Sequence, residues 1–243
     1  MSDELRDRVA LVTGASGGIG RALSLRLAEA GARVALHYSS GEDRAEALLA
    51  EIGDERAGTY GADLSHPEAP RQLVQAVEET LGPIDVLVAN AGMSKIQNLE
   101  DVSIEDWDET LAVNLRAPFL LAQAALPGMR ERGFGRVLFV SSVAAYTGGI
   151  VGPHYASSKA GLLGLTRFLA SRTAGDGVTV NAIAPALIEE TSMLPGDPGG
   201  LAERIPVGRL GKPDEVADLA LALLRNGYVT NEAVLVDGGL FPH

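Results

Sequence analysis

Residues 8–31 read "RVALVTGASGGIGRALSLRLAEAG", and the way this stretch divides decides the fold. RVALVT (8–13) is a short apolar run, the pattern of a strand buried on both faces. Residues 21–31 place Leu23 and Leu27 one helical turn apart and end on Gly31, a usual helix stop. Between them, TGASGGIG (13–20) turns strand into helix. Gly14 permits a tight turn, Gly18 lets backbone approach a pyrophosphate, and Gly20 lets helix and strand pack closely. N–H groups at such a helix start face the phosphates. The spacing is G-x-x-x-G-x-G rather than the commoner G-x-G-x-x-G. An ordinary glycine-rich connection therefore stays open beside a dinucleotide site.

The alternation continues along the chain. Further apolar strands are expected at 33–38, 58–64, 84–92, 135–142, 178–185 and 233–239. Helical patterns separate them at 44–53, 71–82, 105–131, 155–173 and 213–227. Strands that are apolar throughout, with helices between them, imply a parallel sheet covered on both sides. The expected fold is therefore α/β. It is a single doubly wound Rossmann-type domain over 1–243, with a seven-stranded parallel sheet and helices on both faces. The Gly- and Pro-rich stretch 186–207 reads as a flexible substrate flap.

Composition narrows the function. With 46% hydrophobic residues, the chain has ample material for a core. No apolar run approaches the roughly 18 residues that span a bilayer. The start, MSDELRDR, lacks the apolar stretch of a signal peptide. Cysteine is absent, which excludes disulfides, thiolate catalysis and cysteine metal sites, and a cytoplasmic location is expected. His37, His66, His154 and His243 show no metal-ligand spacing, so no metal is expected. A net charge of −12 opposes nucleic acid and membrane surfaces as partners.

GPHYASSKAG (152–161) carries the chemistry. Tyr155 and Lys159 stand at i and i+4, on one helix face and one turn apart. The chain has five tyrosines and three lysines (Lys95, Lys159, Lys212), so chance rarely produces this spacing. The bland alternative is a solvated phenol–ammonium pair. Ser142, thirteen positions upstream after a strand, favours chemistry. A carbonyl reduced by hydride becomes an alkoxide and needs a proton. A free tyrosine, with a pKa of about 10, is a poor shuttle near neutrality. A lysine cation beside it is expected to favour the phenolate and lower that pKa. Ser142 would donate a hydrogen bond to the substrate oxygen as charge develops.

The cofactor's phosphate state is read at the end of the second strand, LHYSSGEDR (36–44). No Asp or Glu stands at 37–40 to bind a ribose 2′-hydroxyl. Tyr38, Ser39 and Ser40 occupy that region, with Arg44 nearby. Hydroxyls and an arginine suit a 2′-phosphate, which a carboxylate would repel. The reading is NADP(H), with NAD(H) possible and a serine helix cap as the structural alternative.

In order, TGASGGIG at 13–20, ADL at 62–64, ANAG at 89–92, Asn114, Ser142, Tyr155 with Lys159, NAIAPA from Asn181 and VDGGL at 236–240 resemble the short-chain dehydrogenase/reductase family. GRLGKPDEVA (208–217) is similar to its 3-oxoacyl-[acyl-carrier-protein] reductase-like members. The resemblance implies an NADP(H)-dependent reductase of a ketone or 3-oxoacyl group, with Tyr155 as proton donor. It implies that Lys159 also binds the nicotinamide ribose and that Asn114 holds a proton-relay water. With the glycine turn (Gly14, Ser16, Gly18, Ile19, Gly20) and Tyr38, Ser39 and Ser40, it places Asp63 and Leu64 around the adenine. Asn90, Ala91 and Gly92 would line the adenosine ribose, and Pro185, Ile188 and Thr191 the nicotinamide end. Ala186 replaces the frequent glycine after Pro185. The alternatives are an NAD-dependent alcohol or sugar dehydrogenase of the same family and a non-catalytic dinucleotide-binding protein.

The resemblance further implies a homotetramer and a small-molecule or acyl-thioester substrate. An acyl carrier protein would need a basic patch, for which Arg130, Arg132 and Arg136 are the candidates. Arg172 is expected to be answered by Asp176. His154, beside Tyr155, reads as a pocket-wall or partly exposed histidine rather than a second proton carrier.

Overall fold

The computed structural model describes residues 4–191 and 200–241. Its elements are β1 (Val9–Val12), α1 (Gly18–Glu29), β2 (Arg33–Tyr38), α2 (Glu42–Ile52), β3 (Ala57–Gly61), α3 (Ala69–Thr80), β4 (Ile84–Ala89), α4 (Ile104–Leu111), α5 (Ala117–Glu131), β5 (Gly135–Val140), α6 (Ala144–Thr147), α7 (Pro153–Thr173), β6 (Val178–Pro185), α8 (Pro213–Arg225) and β7 (Ala233–Val236). The seven strands form one sheet in the order β3-β2-β1-β4-β5-β6-β7. Every pairing is parallel.

Alternation along the strands builds two cores. Val9 and Leu11 of β1, with Val137 and Phe139 of β5, face α3, α5 and α7. Ala10, Val12, Leu138 and Val140 face α1 and α8 on the other side. Strands that bury both faces need apolar residues at every position, which is why they read as continuous runs. Burying each large aliphatic or aromatic side chain contributes about 1.5–3 kcal/mol. The edges differ from expectation. β7 is half-buried along its length and β3 is buried only at Ala57, because each edge strand has one paired neighbour.

Strands end earlier than the apolar runs do. Thr13, Ala62, Asn90 and Ser141 lie just past the ladders that end at Val12, Gly61, Ala89 and Val140. The motif residues therefore emerge together at the carboxyl end of the sheet. β1 sits between β2 and β4, so the connections leaving β1 and β4 diverge to opposite sides. A cleft at that switch point is the expected ligand site in such sheets.

The helix expected over 105–131 spans 104–131 but is not uniform. Residues 112–116 form a π-turn between α4 and α5. Pro118 brings no N–H for the carbonyl of Asn114 one α-turn back, and the helix widens there. Ser103 caps α4, its hydroxyl accepting from Asp106 N–H at 3.1 Å. α7 starts at Pro153, two residues earlier than expected, a position where a missing N–H costs nothing. Of the stretch 186–207 expected from the sequence to form a flap, 192–199 lie outside the described residues. Ile188 forms an isolated parallel bridge with Gly211.

Candidate active site

The glycine turn is held by backbone geometry. Gly14 has φ +65°, a conformation side-chain-bearing residues rarely adopt. A Cβ at Gly20 would lie 2.1 Å from the Gly14 carbonyl oxygen and 2.8 Å from Asn90 Nδ2. A Cβ at Gly18 would lie 2.5 Å from the Glu190 carbonyl oxygen, so this glycine also admits the close approach of the backbone at Glu190. Asn90 spends its side chain on the turn: Nδ2 donates to the Thr13 and Gly14 carbonyls at 2.9 and 3.2 Å. Thr13 Oγ1 accepts from the Asn90 and Ala91 N–H groups, both at 3.0 Å. The first amides of α1, at Gly18, Ile19 and Gly20, have no carbonyl a turn earlier in the helix and remain available to an anion.

One cleft connects this turn to Tyr155. Gly14, Ser16, Gly18, Ile19, Gly20, Ser39, Ser40, Asp63, Leu64, Asn90, Ala91, Gly92, Ser142, Tyr155, Lys159, Pro185, Ile188 and Thr191 all line it. The Asp63 carboxylate accepts from Ser65 N–H at 2.9 Å, which lowers its pKa. Thr191 Oγ1 donates to the Ile188 carbonyl at 2.9 Å.

Tyr38 is the exception among the expected cofactor residues. Its hydroxyl donates to Glu42 at 2.8 Å, and its ring lies against Gly61. That hydrogen bond to a carboxylate raises the Tyr38 pKa. Successive strand residues point to opposite faces, and His37 takes the cleft side.

Ser142, Tyr155 and Lys159 meet past the end of β5. A hydrogen bond joins Tyr155 and Ser142, and Ser142 Oγ also accepts from Ala144 N–H at 3.2 Å. Lys159 Nζ donates to the Val140 carbonyl at 2.9 Å and lies 5.7 Å from the Tyr155 ring centre. Asn114 is fully buried at the π-turn. Its Oδ1 accepts from Met93 N–H at 2.8 Å, while Nδ2 donates to the Met93 carbonyl at 2.9 Å and to Ser158 Oγ at 3.2 Å. Ser158 Oγ donates to the Tyr155 carbonyl at 2.7 Å. Asn114 thus ties the segment after β4 to the helix that carries the tyrosine.

Residues 8–197 match the short chain dehydrogenase family. The chain belongs to that family. It is similar to the acetoacetyl-CoA reductase of Shinella zoogloeoides, with 41% identity over 96% of this chain and 98% of that one. The 3-oxoacyl-[acyl-carrier-protein] reductase FabG of Aquifex aeolicus is 38% identical over 99% and 100%. A solved structure, a blue fluorescent protein from a metagenomic library in complex with NADPH, superposes with a TM-score of 0.92 at 37% identity, covering 98% of this chain and all of that one. As a short-chain dehydrogenase, the chain is an oxidoreductase acting on CH–OH/C=O.

The electrostatics of this dehydrogenase site differ from expectation. Burial raises the Tyr155 pKa above 10.0, and the hydrogen bond with Ser142 only partly offsets this. Burial also lowers Lys159 to about 8. In the protein alone, desolvation of both side chains outweighs the attraction expected between ammonium and phenolate. The phenol stays protonated at neutral pH, the form a proton donor requires.

Three further expectations are corrected. His154 is fully buried and is absent from the cleft lining, and its ring nitrogens find no partner among the described residues. Asp176 pairs with Arg130 at 2.6 Å, whereas Arg172 stacks on Phe168 at 3.8 Å. The three candidate patch arginines are already engaged: Arg136 is buried with Glu4, Arg132 sits 3.5 Å from Asp85, and Arg130 is held by Asp176. Arg136 and Asp85 lie at the amino ends of β5 and β4, opposite the cleft.

The structure brings in Arg44, expected from the sequence beside Ser39 and Ser40, and adds further lining residues. Arg44 lines the cleft, and its Nε donates to the Ser16 carbonyl at 3.2 Å. Met93, Val143, Ile150, Val151 and Leu187 give the Tyr155 end an apolar wall, and His37 lies under the glycine turn. Met93, Val143 and Leu187 lie two to four residues past the ends of β4, β5 and β6, the signal that could have flagged them.

Proposed function

We propose that this chain is an NADP(H)-dependent reductase of ketones and 3-oxoacyl thioesters. The observation that carries the reading is the convergence of Ser142, Tyr155 and Lys159 with the glycine turn in one cleft. The residues fit the cofactor. Free amides at the start of α1 suit a pyrophosphate. Ser16, Ser39, Ser40 and Arg44 surround the place for a 2′-phosphate, and Glu42 is tied to Tyr38. Bound NADPH supplies the hydride.

The chain's own residues do the rest. Ser142 donates to the substrate oxygen as negative charge grows. Tyr155, kept protonated by burial, delivers its proton to the same oxygen, because an alkoxide is far more basic than a phenolate. Lys159 holds the cofactor ribose and offers a cation to the phenolate left behind. Asn114 fixes the first turns of α7 against the Met93 segment. The apolar wall suits an acyl chain, as in the substrates named for the two reductase relatives.

The protein works in the cytoplasm as a homotetramer. Support for assembly comes from Phe119 and Phe168, 42% and 55% exposed on α5 and α7. Among the described residues no helix is long and apolar enough to cross a membrane.

The test is a steady-state panel of acetoacetyl-CoA, other 3-oxoacyl thioesters and simple ketones with NADPH and with NADH. Tyr155→Phe should lower kcat by about 10²–10⁴ while NADPH binding persists. A preference for NADH, or ketone reduction unaffected by Tyr155→Phe, overturns the reading.

A further inference from the structure

The cleft's adenosine end is enclosed by the glycine turn, the end of β2 with Ser39 and Ser40, and Asp63–Leu64 after β3. One side chain touches all three segments. Gly14 N–H donates to His37 Nδ1 at 3.1 Å, and His37 Nε2 stands 3.1 Å from the Ala62 carbonyl. The His37 carbonyl accepts from Ala15 N–H at 2.9 Å. Two consecutive amides of the turn therefore end on this one residue.

The partners settle the ring's state. A backbone N–H only donates, so Nδ1 must carry a lone pair. A carbonyl only accepts, so Nε2 must carry the hydrogen. The ring is a neutral, singly protonated imidazole. Its surroundings agree: His37 is 1% exposed, and burial lowers its pKa to about 4.

We infer that His37 is a positioning residue for the cofactor, tying the glycine turn to β2 and to the segment that holds Asp63 and Leu64, and so setting NADP(H) affinity without touching the reacting atoms. The inference rests on the reading of the cleft as an NADP(H) site. Without the Nδ1 acceptor, the half-buried Gly14 amide loses the side chain that fixes its direction, and the turn is no longer tied to β2 at that point. Any shift of the turn carries the amides of Gly18, Ile19 and Gly20 with it.

Three substitutions test this. In His37→Asn, Oδ1 takes the place of Nδ1 and keeps the Gly14 bond. In His37→Gln, the longer amide reaches Ala62 and leaves Gly14 unpaired. His37→Leu loses both. Fluorescence titration should show the Asn variant binding NADPH within about twofold of wild type and the other two weakened about tenfold or more. At saturating NADPH, kcat should change by less than about twofold in all three. Thermal unfolding separates binding from stability.

Equal NADPH affinity of the Asn and Gln variants, or melting temperatures that shift with affinity unchanged, overturns the inference. Should the variants fail to fold, ¹⁵N spectra of wild-type histidine decide: a His37 ring charged or protonated on Nδ1 at neutral pH overturns it. A wild-type chain that binds no NADPH overturns the parent reading and this one with it. Wild-type binding with indistinguishable Asn and Gln variants overturns this one alone.

Discussion

Replacing Lys159 with methionine should destroy activity and stabilise the cofactor-free protein. The ammonium is 3% exposed, and burial lowers its pKa from 10.5 to about 8. At about 1.4 kcal/mol per tenfold change in proton affinity, holding it charged costs the folded state about 3 kcal/mol at neutral pH. Methionine fills similar space without charge but leaves the Val140 carbonyl without its donor, a loss of about 1 kcal/mol. The net gain of about 2 kcal/mol corresponds to a melting temperature higher by about 4–8 °C in a chain of this size.

The sign follows from the direction of the shift. Below about 8, folded and unfolded chains both hold the proton and the penalty is complete. Between about 8 and 10.5 only the unfolded chain still binds the proton favourably, and the penalty fades. The advantage of the variant should therefore shrink as pH rises through that window. Thermal unfolding of both proteins without cofactor, at pH about 7 and about 10, measures it. A variant that melts lower than wild type at neutral pH, or an advantage that does not change with pH, refutes the reasoning.

Three other outcomes follow from the geometry. Arg44→Glu places a carboxylate beside Ser16, so kcat/KM with NADPH should fall about 10–100-fold while NADH is used as well as before, read from steady-state rates. Gly20→Ala drives a Cβ to 2.1 Å from the Gly14 oxygen; it should cost about 1–3 kcal/mol in denaturant unfolding and weaken NADPH binding in titration. Arg136→Met strands Glu4 and removes the side-chain donor from the Leu224, Gly135 and Gly177 carbonyls, costing about 3 kcal/mol of stability by denaturant titration, yet kcat should hold because this network lies at the far end of the sheet.

Local rules made much of the fold and site legible. The strand–turn–helix at 8–31 could be read because each piece is dictated by neighbours in sequence: an apolar run, glycines, and a helical stripe ended by Gly31. Tyr155 and Lys159 could be paired for the same reason. Strand alternation puts only one of His37 and Tyr38 on the cleft side, and the sequence does not say which; the structure puts His37 there and Tyr38 against Glu42. The arginines were misread because their partners, Glu4, Asp85 and Asp176, arrive from distant segments. The electrostatic balance at Tyr155 was also out of reach. Spacing puts the two groups side by side, but only packing shows that both are desolvated. The π-turn left no mark on periodicity, since apolar residues occur on more than one face around it.

That π-turn acts as a phase shifter. A residue advances an α-helix by about 100°. The extra residue taken up at 112–116 therefore sets the azimuth of everything after it: Leu121, Ala125 and Met129 point into the core only because the turn is wide. A single-residue deletion there would close the wide turn, with Pro118 then set inside a continuous helix where its missing N–H leaves a carbonyl unpaired. It would also rotate the whole of α5 away from β4 and β5, and detach Asn114 from both Met93 and Ser158. The chain should thus tolerate many side-chain changes along this helix far better than it tolerates losing one residue from its middle.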